Sequence, residues 1–270
     1  MKEIDSSFEI QKLVYEMLKE FHFFCEKHDL RYILAGGTLL GAVRHNGFIP
    51  WDDDIDVQMP RPDYERFLQL TAAGMADHMD VIYWETMDNP YFSYAKIIDT
   101  RTILIEDISI KNESGVFIDV FPTDGLPDSI AEIKKKFQRL DWYKNLLNLR
   151  IQKIEKGISK FHFLIKVVAI PFARMFLNTR SIITKINEIS KEQDFEDCET
   201  VAFQVLGYGI KEVTKRSDYN NRILMKFVDD LFYIPSNYDQ YLKQLYGDYM
   251  TLPPKEEQVT HHGFKAYWRE

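Results

Sequence analysis

The sequence predicts an α/β (α+β) protein: a mixed sheet flanked by helices, with a helical subdomain inserted in its second half. Strand-like apolar runs alternate with helical patterns up to residue 121, a long helical pattern follows, and short strand runs return near the end. We therefore divide the chain into residues 1–128, the first part of the core; residues 129–195, the helical region; and residues 196–270, which complete the core.

Most of the predicted sheet lies in the first 128 residues. Apolar side chains recur at helical spacing behind Ser6 and predict an amphipathic helix over residues 6–29. Pro62 is suited to the first turn of a second helix. Strands are expected near residues 32–35, 55–59, 81–84, 94–98, 103–106 and 116–121.

The helical region contains a strongly apolar segment, residues 161–177. Lys166, Pro171 and Arg174 interrupt it, and it is too short to span a bilayer. Two interpretations stay open: a buried helix pair, or a helix in the membrane interface, since basic residues accompany the apolar ones. Beyond this region, strands are expected near 200–206 and 231–234, and a helix over 238–246.

Charge and cysteine content narrow the functional classes. The chain has 34 Lys and Arg against 42 Asp and Glu, a net charge of −8, so nucleic acid, which requires a basic face, is not expected as a partner. Cys25 and Cys198 form neither a CxxC metal clip nor a disulfide framework. The first residues lack the pattern of a signal peptide, so a cytoplasmic protein is expected.

The densest chemical feature is GGTLLGAVRHNGFIPWDDDIDV, residues 36–57. In Asp54-Ile55-Asp56, the two-residue period of a strand places both carboxylates on one face and Ile55 on the other. Two such carboxylates suit a magnesium-type ion that also binds substrate phosphates. A solvated acidic loop before a strand is the alternative explanation.

The start of the same segment suits phosphate binding. Gly36 and Gly37, placed after a strand, allow the backbone to approach a phosphate closely. Thr38 adds a hydroxyl that can cap the following helix. A Gly-Gly pair alone is weak support, because many turns contain one.

A third candidate carboxylate is Asp119, within the apolar strand run VFIDVF. Burying an isolated Asp in such a run is costly unless a cation or hydrogen-bond donors pair with it. A position beside Asp54 and Asp56 would provide the cation. The alternative is that Asp119 ends its strand and caps a turn before Pro122.

These features together resemble the nucleotidyltransferase superfamily. More specifically, GGTLLGAVRHNGFIPWDDDIDV, FIDVFPTDG and LYGDYMTLPPKEEQVTHH resemble the LicD family of phosphorylcholine transferases, which are related to fukutin. The resemblance touches residues 34–68, 91–124 and 223–262 and implies a nucleotidyltransferase-like fold. It also implies metal-dependent transfer of phosphocholine from CDP-choline to a sugar hydroxyl, with release of CMP.

The resemblance assigns the metal-binding pair to Asp54 and Asp56 and the third carboxylate to Asp119. Asp119 is also the candidate base, although metal ligation alone is equally compatible with the sequence. The implied ion is Mg²⁺ or Mn²⁺, and the implied acceptor is a lipid-linked teichoic acid or similar cell-surface glycan precursor. Such an acceptor would give residues 161–177 a peripheral role at the inner face of the cell membrane.

Candidate phosphate contacts lie outside the acidic run. Arg44 and Lys96 carry charge that could neutralise a diphosphate, and solvated charges at element ends are the alternative. His261 and His262 follow a Pro-Pro turn, as in the family pattern. One of them is expected to close over the phosphates.

Candidate choline contacts are aromatic, because a quaternary ammonium neither donates nor accepts hydrogen bonds. The candidates within the motifs are Trp51, beside the acidic run, and Tyr246 and Tyr249, in YGDYM. Most aromatic residues of the chain must belong to the core. Alternative functions keep the fold but transfer ethanolamine phosphate, ribitol phosphate or a nucleotide, the last with release of pyrophosphate. A noncatalytic nucleotide-binding protein is a further alternative.

Overall fold

A computed structural model gives the fold and describes residues 2–4, 6–106, 114–153, 160–260 and 264–269. The described strands are β1 (Glu3–Ile4), β2 (Ile33–Leu34), β3 (Asp56–Pro60), β4 (Met79–Tyr83), β5 (Ala95–Asp99), β6 (Thr102–Glu106), β7 (Phe117–Gly125), β8 (Thr200–Phe203), β9 (Thr214–Lys215), β10 (Ile223–Phe227), β11 (Asp230–Ile234) and β12 (Phe264–Trp268). The described α-helices are α1 (Ser7–His28), α2 (Gly36–His45), α3 (Arg61–Thr71), α4 (Ile130–Ile151), α5 (Lys160–Phe176), α6 (Thr179–Ser190), α7 (Arg216–Asn220) and α8 (Tyr238–Tyr246).

The central sheet is mixed, which confirms the predicted fold class. Its main path runs β2-β3-β7-β5-β4, with β8 paired to β7 and β9 paired to β8. Strands β3 and β7 are parallel, whereas the other pairs of this sheet are antiparallel. Strand β7 therefore has β3 along one side and shares its other side between β5 and β8.

Strand β7 extends beyond its predicted end, from Phe117 through Pro122 to Gly125. The proposed turn before Pro122 is therefore absent, and Asp119 lies inside the strand. Proline lacks a backbone N–H, and a central strand accommodates it only where pairing is interrupted. Here β5 pairs with residues 117–120 and β8 with residues 123–125, so Pro122 falls between the two neighbours.

The two faces of the sheet bury different side chains. Val57, Val120 and Ala95 belong to the core that α1, α2 and α3 cover. The next residue along β7, Phe121, points to the opposite face and packs in a second core with α4 and α6. Because side chains alternate along a strand, Asp119 shares the face of Phe121, so the candidate site lies on the side of the helical region.

The elements of the last third agree with the predictions in part. The helix over 238–246 and the strand near 231–234 are confirmed, as α8 and β11. Strand β10, which pairs with β11, has no counterpart in the sequence analysis. Its Ile223 and Leu224 are apolar but exposed, which obscures the alternation expected of a half-buried strand.

The apolar segment of the helical region forms α5, which packs against α4. Ile170 and Ala173 are buried, whereas Phe172, Met175 and Phe176 are exposed. The helix thus combines a packed side with an apolar exposed one. Among the described residues, no helix has the length and apolarity needed to cross a membrane.

Candidate active site

Three charged side chains form a row across adjacent strands β3, β7 and β5. Asp56 pairs with Asp119 in the parallel register, and Asp119 pairs with Lys96 in the antiparallel one. Paired residues on neighbouring strands project from the same face of a sheet. The Lys96 ammonium donates a hydrogen bond to Asp119 Oδ1 at 2.8 Å, and both side chains are buried.

Lys96 is held by aromatic rings as well as by Asp119. Its ammonium lies over the rings of Phe92, Tyr94 and Phe117. The Tyr94 hydroxyl is 3.4 Å from Asp119 Oδ2. The positive charge of Lys96 thus compensates a carboxylate of the row. The predicted contact of Lys96 with a diphosphate stays a prediction.

The start of α2 is fixed to the start of β3. The Asp56 backbone N–H donates to Thr38 Oγ1 at 2.8 Å, and the Ala35 N–H donates to the Asp56 carbonyl at 3.0 Å. The sequence suggested that Thr38 caps α2, but its hydroxyl accepts the hydrogen bond from Asp56 instead. The N-cap is Ala35, which has no capping side chain.

Gly36 is the first residue of α2, with a φ of 51° that disfavours other side chains. A Cβ atom there would lie 2.9 Å from Asp56 Oδ2, and one on Gly37 would lie 2.7 Å from Asp52 Oδ2. Both glycines thus let carboxylates approach the N-terminal end of α2. Asp52 was part of the acidic run, but the sequence did not single it out.

Like charges dominate the surroundings of Asp56. Burial and the carboxylates of Asp54, Asp119 and Asp52 raise its pKa well above the usual range, and Lys96 opposes this effect. Ile55 is fully buried, as predicted, although β3 begins only at Asp56, so that Asp54 and Ile55 precede the strand. Excess negative charge at this point favours a bound cation.

The donor set can be compared with the needs of a metal ion. Within the described part of the chain, no three acidic, His or Cys side chains are grouped closely enough to form a complete metal site. Mg²⁺, however, is commonly bound by one or two carboxylates together with substrate phosphates and water. Asp56 and its neighbouring carboxylates supply the hard oxygen atoms that such an ion requires, so the residues fit it.

A cleft of about 340 Å³ opens beside Asp56. Gly36 and Gly37 lie at its edge, next to the N-terminal end of α2. Five aromatic side chains line it: Phe121, Phe203, Tyr208, Tyr241 and Tyr246. The Tyr208 and Tyr246 rings are nearly perpendicular, with centroids 6.1 Å apart. Tyr246 thus lines the same cleft as Asp56, and its contact with choline stays a prediction.

An acidic side chain, Glu212, also lines this cleft although only 4% of it is exposed. It accepts hydrogen bonds from the Tyr241 hydroxyl at 2.6 Å and from the Tyr208 backbone N–H at 3.1 Å. Burial raises the pKa of Glu212, while these two donors oppose the shift. The cleft therefore combines aromatic faces with one buried acid.

Sequence reasoning missed Glu212, Tyr208 and Tyr241 as residues of the site. They follow β8, which reaches the site by pairing with the far end of β7. That pairing joins segments about 80 residues apart, and no local pattern predicts it. The Gly207-Tyr208-Gly209 sequence signals a loop but gives no position for it.

Three predicted substrate contacts lie away from the cleft. Arg44 is eight residues after Gly36 on α2, about 12 Å along the helix axis, and donates to the Tyr249 carbonyl at 2.8 Å. Trp51 packs edge-on to His45, and the Tyr249 hydroxyl donates to Asp239. None of the three lines the cleft, and their roles stay predictions.

The two candidate histidines, His261 and His262, lie outside the described residues. Their predicted closure over the phosphates therefore stays a prediction.

Comparison with known proteins identifies the family. Residues 29–154 match the LicD/FKTN/FKRP nucleotidyltransferase domain. The lipopolysaccharide cholinephosphotransferase LicD of Haemophilus influenzae is 32% identical over 268 residues, which cover 96% of this chain and 97% of that protein. The human and mouse ribitol 5-phosphate transferase FKRP are each 34% identical over 70 residues, 25% of this chain and 14% of FKRP. The chain belongs to the LicD family and is a phosphotransferase.

Gly36→Ala tests the contact between α2 and Asp56. We expect it to reduce catalytic turnover at least tenfold, because the new methyl group would displace the Asp56 carboxylate. Gly74→Ala is the matched control, since Gly74 also has positive φ but nothing lies near its Cβ position. Chemical denaturation should show that each variant loses about 1–2 kcal/mol of unfolding free energy. Equal turnover in the two variants would contradict a role for the contact between Gly36 and Asp56 in catalysis.

Proposed function

We propose that the protein transfers phosphocholine from CDP-choline to a sugar hydroxyl of a cell-surface glycan precursor, with release of CMP. The observation that carries the proposal is the aromatic cleft with buried Glu212 that opens beside Asp56. The name of the Haemophilus relative, lipopolysaccharide cholinephosphotransferase, supports the same reaction. A lipid-linked teichoic acid precursor is the acceptor that the sequence motifs suggested.

The cleft suits the choline group. A quaternary ammonium is attracted to aromatic faces, and the Tyr208 and Tyr246 rings supply two faces at a steep angle. Glu212 adds a negative charge at the same cleft. Ribitol phosphate has no cationic group to benefit from either feature, so the cleft favours choline over ribitol.

The diphosphate of the donor would lie between this cleft and the carboxylates. Gly36 and Gly37 open α2, where the first backbone N–H groups have no partner within the helix and attract anions. Asp56, together with Asp54 or Asp119, would hold Mg²⁺ or Mn²⁺ along with the substrate phosphates, and the bound ion would neutralise phosphate oxygens and the leaving group. This ion also explains why several carboxylates crowd around Asp56.

The transfer itself is an in-line displacement. The acceptor hydroxyl oxygen forms a bond to the phosphorus that carries choline, and the bond from that phosphorus to the CMP oxygen breaks. In this proposal Asp119 takes the hydroxyl proton, and its hydrogen bond from Lys96 fixes the carboxylate orientation. CMP leaves with the electron pair of the broken bond.

CMP release from CDP-choline tests the reaction. With Mg²⁺ and a glycan precursor, the wild type should release CMP in proportion to the phosphocholine transferred, and EDTA should stop it. Asp56→Asn should lower turnover at least 100-fold, because the variant loses a metal-coordinating carboxylate and its negative charge. Asp77→Asn, which changes an exposed carboxylate, is the control. Binding of CDP-choline without any CMP release would contradict the proposed reaction.

The acid in the cleft makes choline binding depend on pH. Glu212 has a raised pKa, so it becomes neutral as the pH falls through that value, and its attraction for choline is lost. We expect Glu212→Gln to weaken choline binding about tenfold at neutral pH, roughly 1.4 kcal/mol, and to remove the pH dependence. Calorimetric titration with choline, and with ribitol 5-phosphate in parallel, measures both effects. Stronger binding of ribitol 5-phosphate would contradict the choline assignment.

A lipid-linked acceptor would also place the protein at a membrane surface, through α5. Phe172 and Met175 are 63% and 74% exposed, and Phe8 and Phe23 on α1 are similarly exposed, at 75% and 66%. We expect replacement of Phe172 and Met175 by Ser to reduce sedimentation with anionic phosphatidylglycerol vesicles several-fold, because inserted apolar area is lost. The same change at Phe8 and Phe23 should leave it unaltered. Equal effects in both pairs would contradict a role for α5.

A further inference from the structure

A second cleft, of about 380 Å³, lies at the Lys96 end of the charged row. Its walls come from the segment before β5, from α4 and from the residues that follow β8. The sequence analysis gave α4 no functional role, because the helical region carries no motif. In the structure this helix forms one side of a cleft that contains Lys96.

The two clefts meet at the charged row. Asp56 lines the first cleft and Lys96 lines the second, and Asp119 pairs with both residues across the sheet. Leu206 and Gly207 line both clefts and form the wall between them. A group bound in the second cleft would therefore reach the row from the side opposite the choline group.

The lining of the second cleft combines buried aromatic rings with a polar mouth. Tyr91, Phe92 and Tyr94 are buried in its floor. Asn145 and Asn148 are exposed on α4 at its mouth. Sugars have apolar C–H faces and hydroxyl groups around their edges. Aromatic rings can pack against the C–H faces, and Asn side chains offer hydrogen-bond donors and acceptors to the hydroxyl groups.

We propose that this second cleft binds the acceptor sugar and directs its hydroxyl towards Asp119. The proposal rests on the proposed function, because it takes the first cleft to hold the phosphocholine group. Lys144 stabilises the shared wall, since its ammonium donates to the Leu206 carbonyl at 3.3 Å and forms an ion pair with Asp141. Helix α4 thus supplies the acceptor side of the site.

The test blocks the second cleft without touching the first. Asn145→Trp and Asn148→Trp place bulky groups at the mouth, at exposed helical positions that tolerate them. We expect each to raise the KM for a glycan acceptor at least tenfold while the Kd for CDP-choline changes less than twofold. Lys134→Trp, at an exposed position elsewhere on α4, should change neither value. An unchanged acceptor KM, or equal changes for donor and acceptor, would overturn the proposal.

A direct binding measurement separates this proposal from the proposed function. Saturation-transfer NMR would use two probes, deacylated lipopolysaccharide and a teichoic acid oligosaccharide. Binding of either probe to the wild type and its loss in Asn148→Trp would support the acceptor cleft even if CDP-choline proved to be the wrong donor. No binding to the wild type, or undiminished binding to Asn148→Trp, would overturn it.

Discussion

The site depends on one buried ion pair, between Lys96 and Asp119 in the interior of the sheet. Asp56 and Asp119 are neighbours in register, and two adjacent carboxylates on one face of a sheet repel each other. Lys96 supplies the compensating charge at 2.8 Å, and three aromatic rings surround its ammonium. Removing one partner of such a pair costs about 3–5 kcal/mol, because the other charge stays buried. The fold must therefore keep β3, β7 and β5 in register.

The alternation of side chains along these strands separates stability from chemistry. Val57, Val120 and Ala95 face the large apolar core, and the residues next to them in sequence form the charged row. A slip of one residue in any of the three strands would exchange the two faces. In β3 or β7 it would bury a carboxylate among α1, α2 and α3 and turn a valine towards the clefts. In β5 it would do the same to Lys96 and Ala95. The apolar core thus specifies the register that the site requires.

Local pattern accounts for what the sequence predicted, and long-range pairing for what it missed. Some features can be predicted because each depends on near neighbours in the chain. They are the α1 helix, the Gly36-Gly37 pair and the strand position of Asp56 and Asp119. Nothing in the local pattern indicated that Arg44 lies about two helical turns beyond Gly36 and outside the cleft. Glu212 was missed, because β8 brings it to the site from about 90 residues beyond β7. Asp124, five residues after Asp119 in sequence, accepts hydrogen bonds from buried Arg61 through both carboxylate oxygens. This long-range pairing was also not predictable from the local pattern.

The wall shared by the two clefts links whatever they bind. Leu206 and Gly207 belong to both, so a displacement of this segment towards one side enlarges the other. A ligand that fixes the wall in one position therefore changes the affinity of the opposite cleft, and thermodynamics requires the change to be mutual. Under the proposed roles of the two clefts, the order in which two substrates assemble into a ternary complex, and the ease with which the first product departs, would depend on a segment that performs no chemistry.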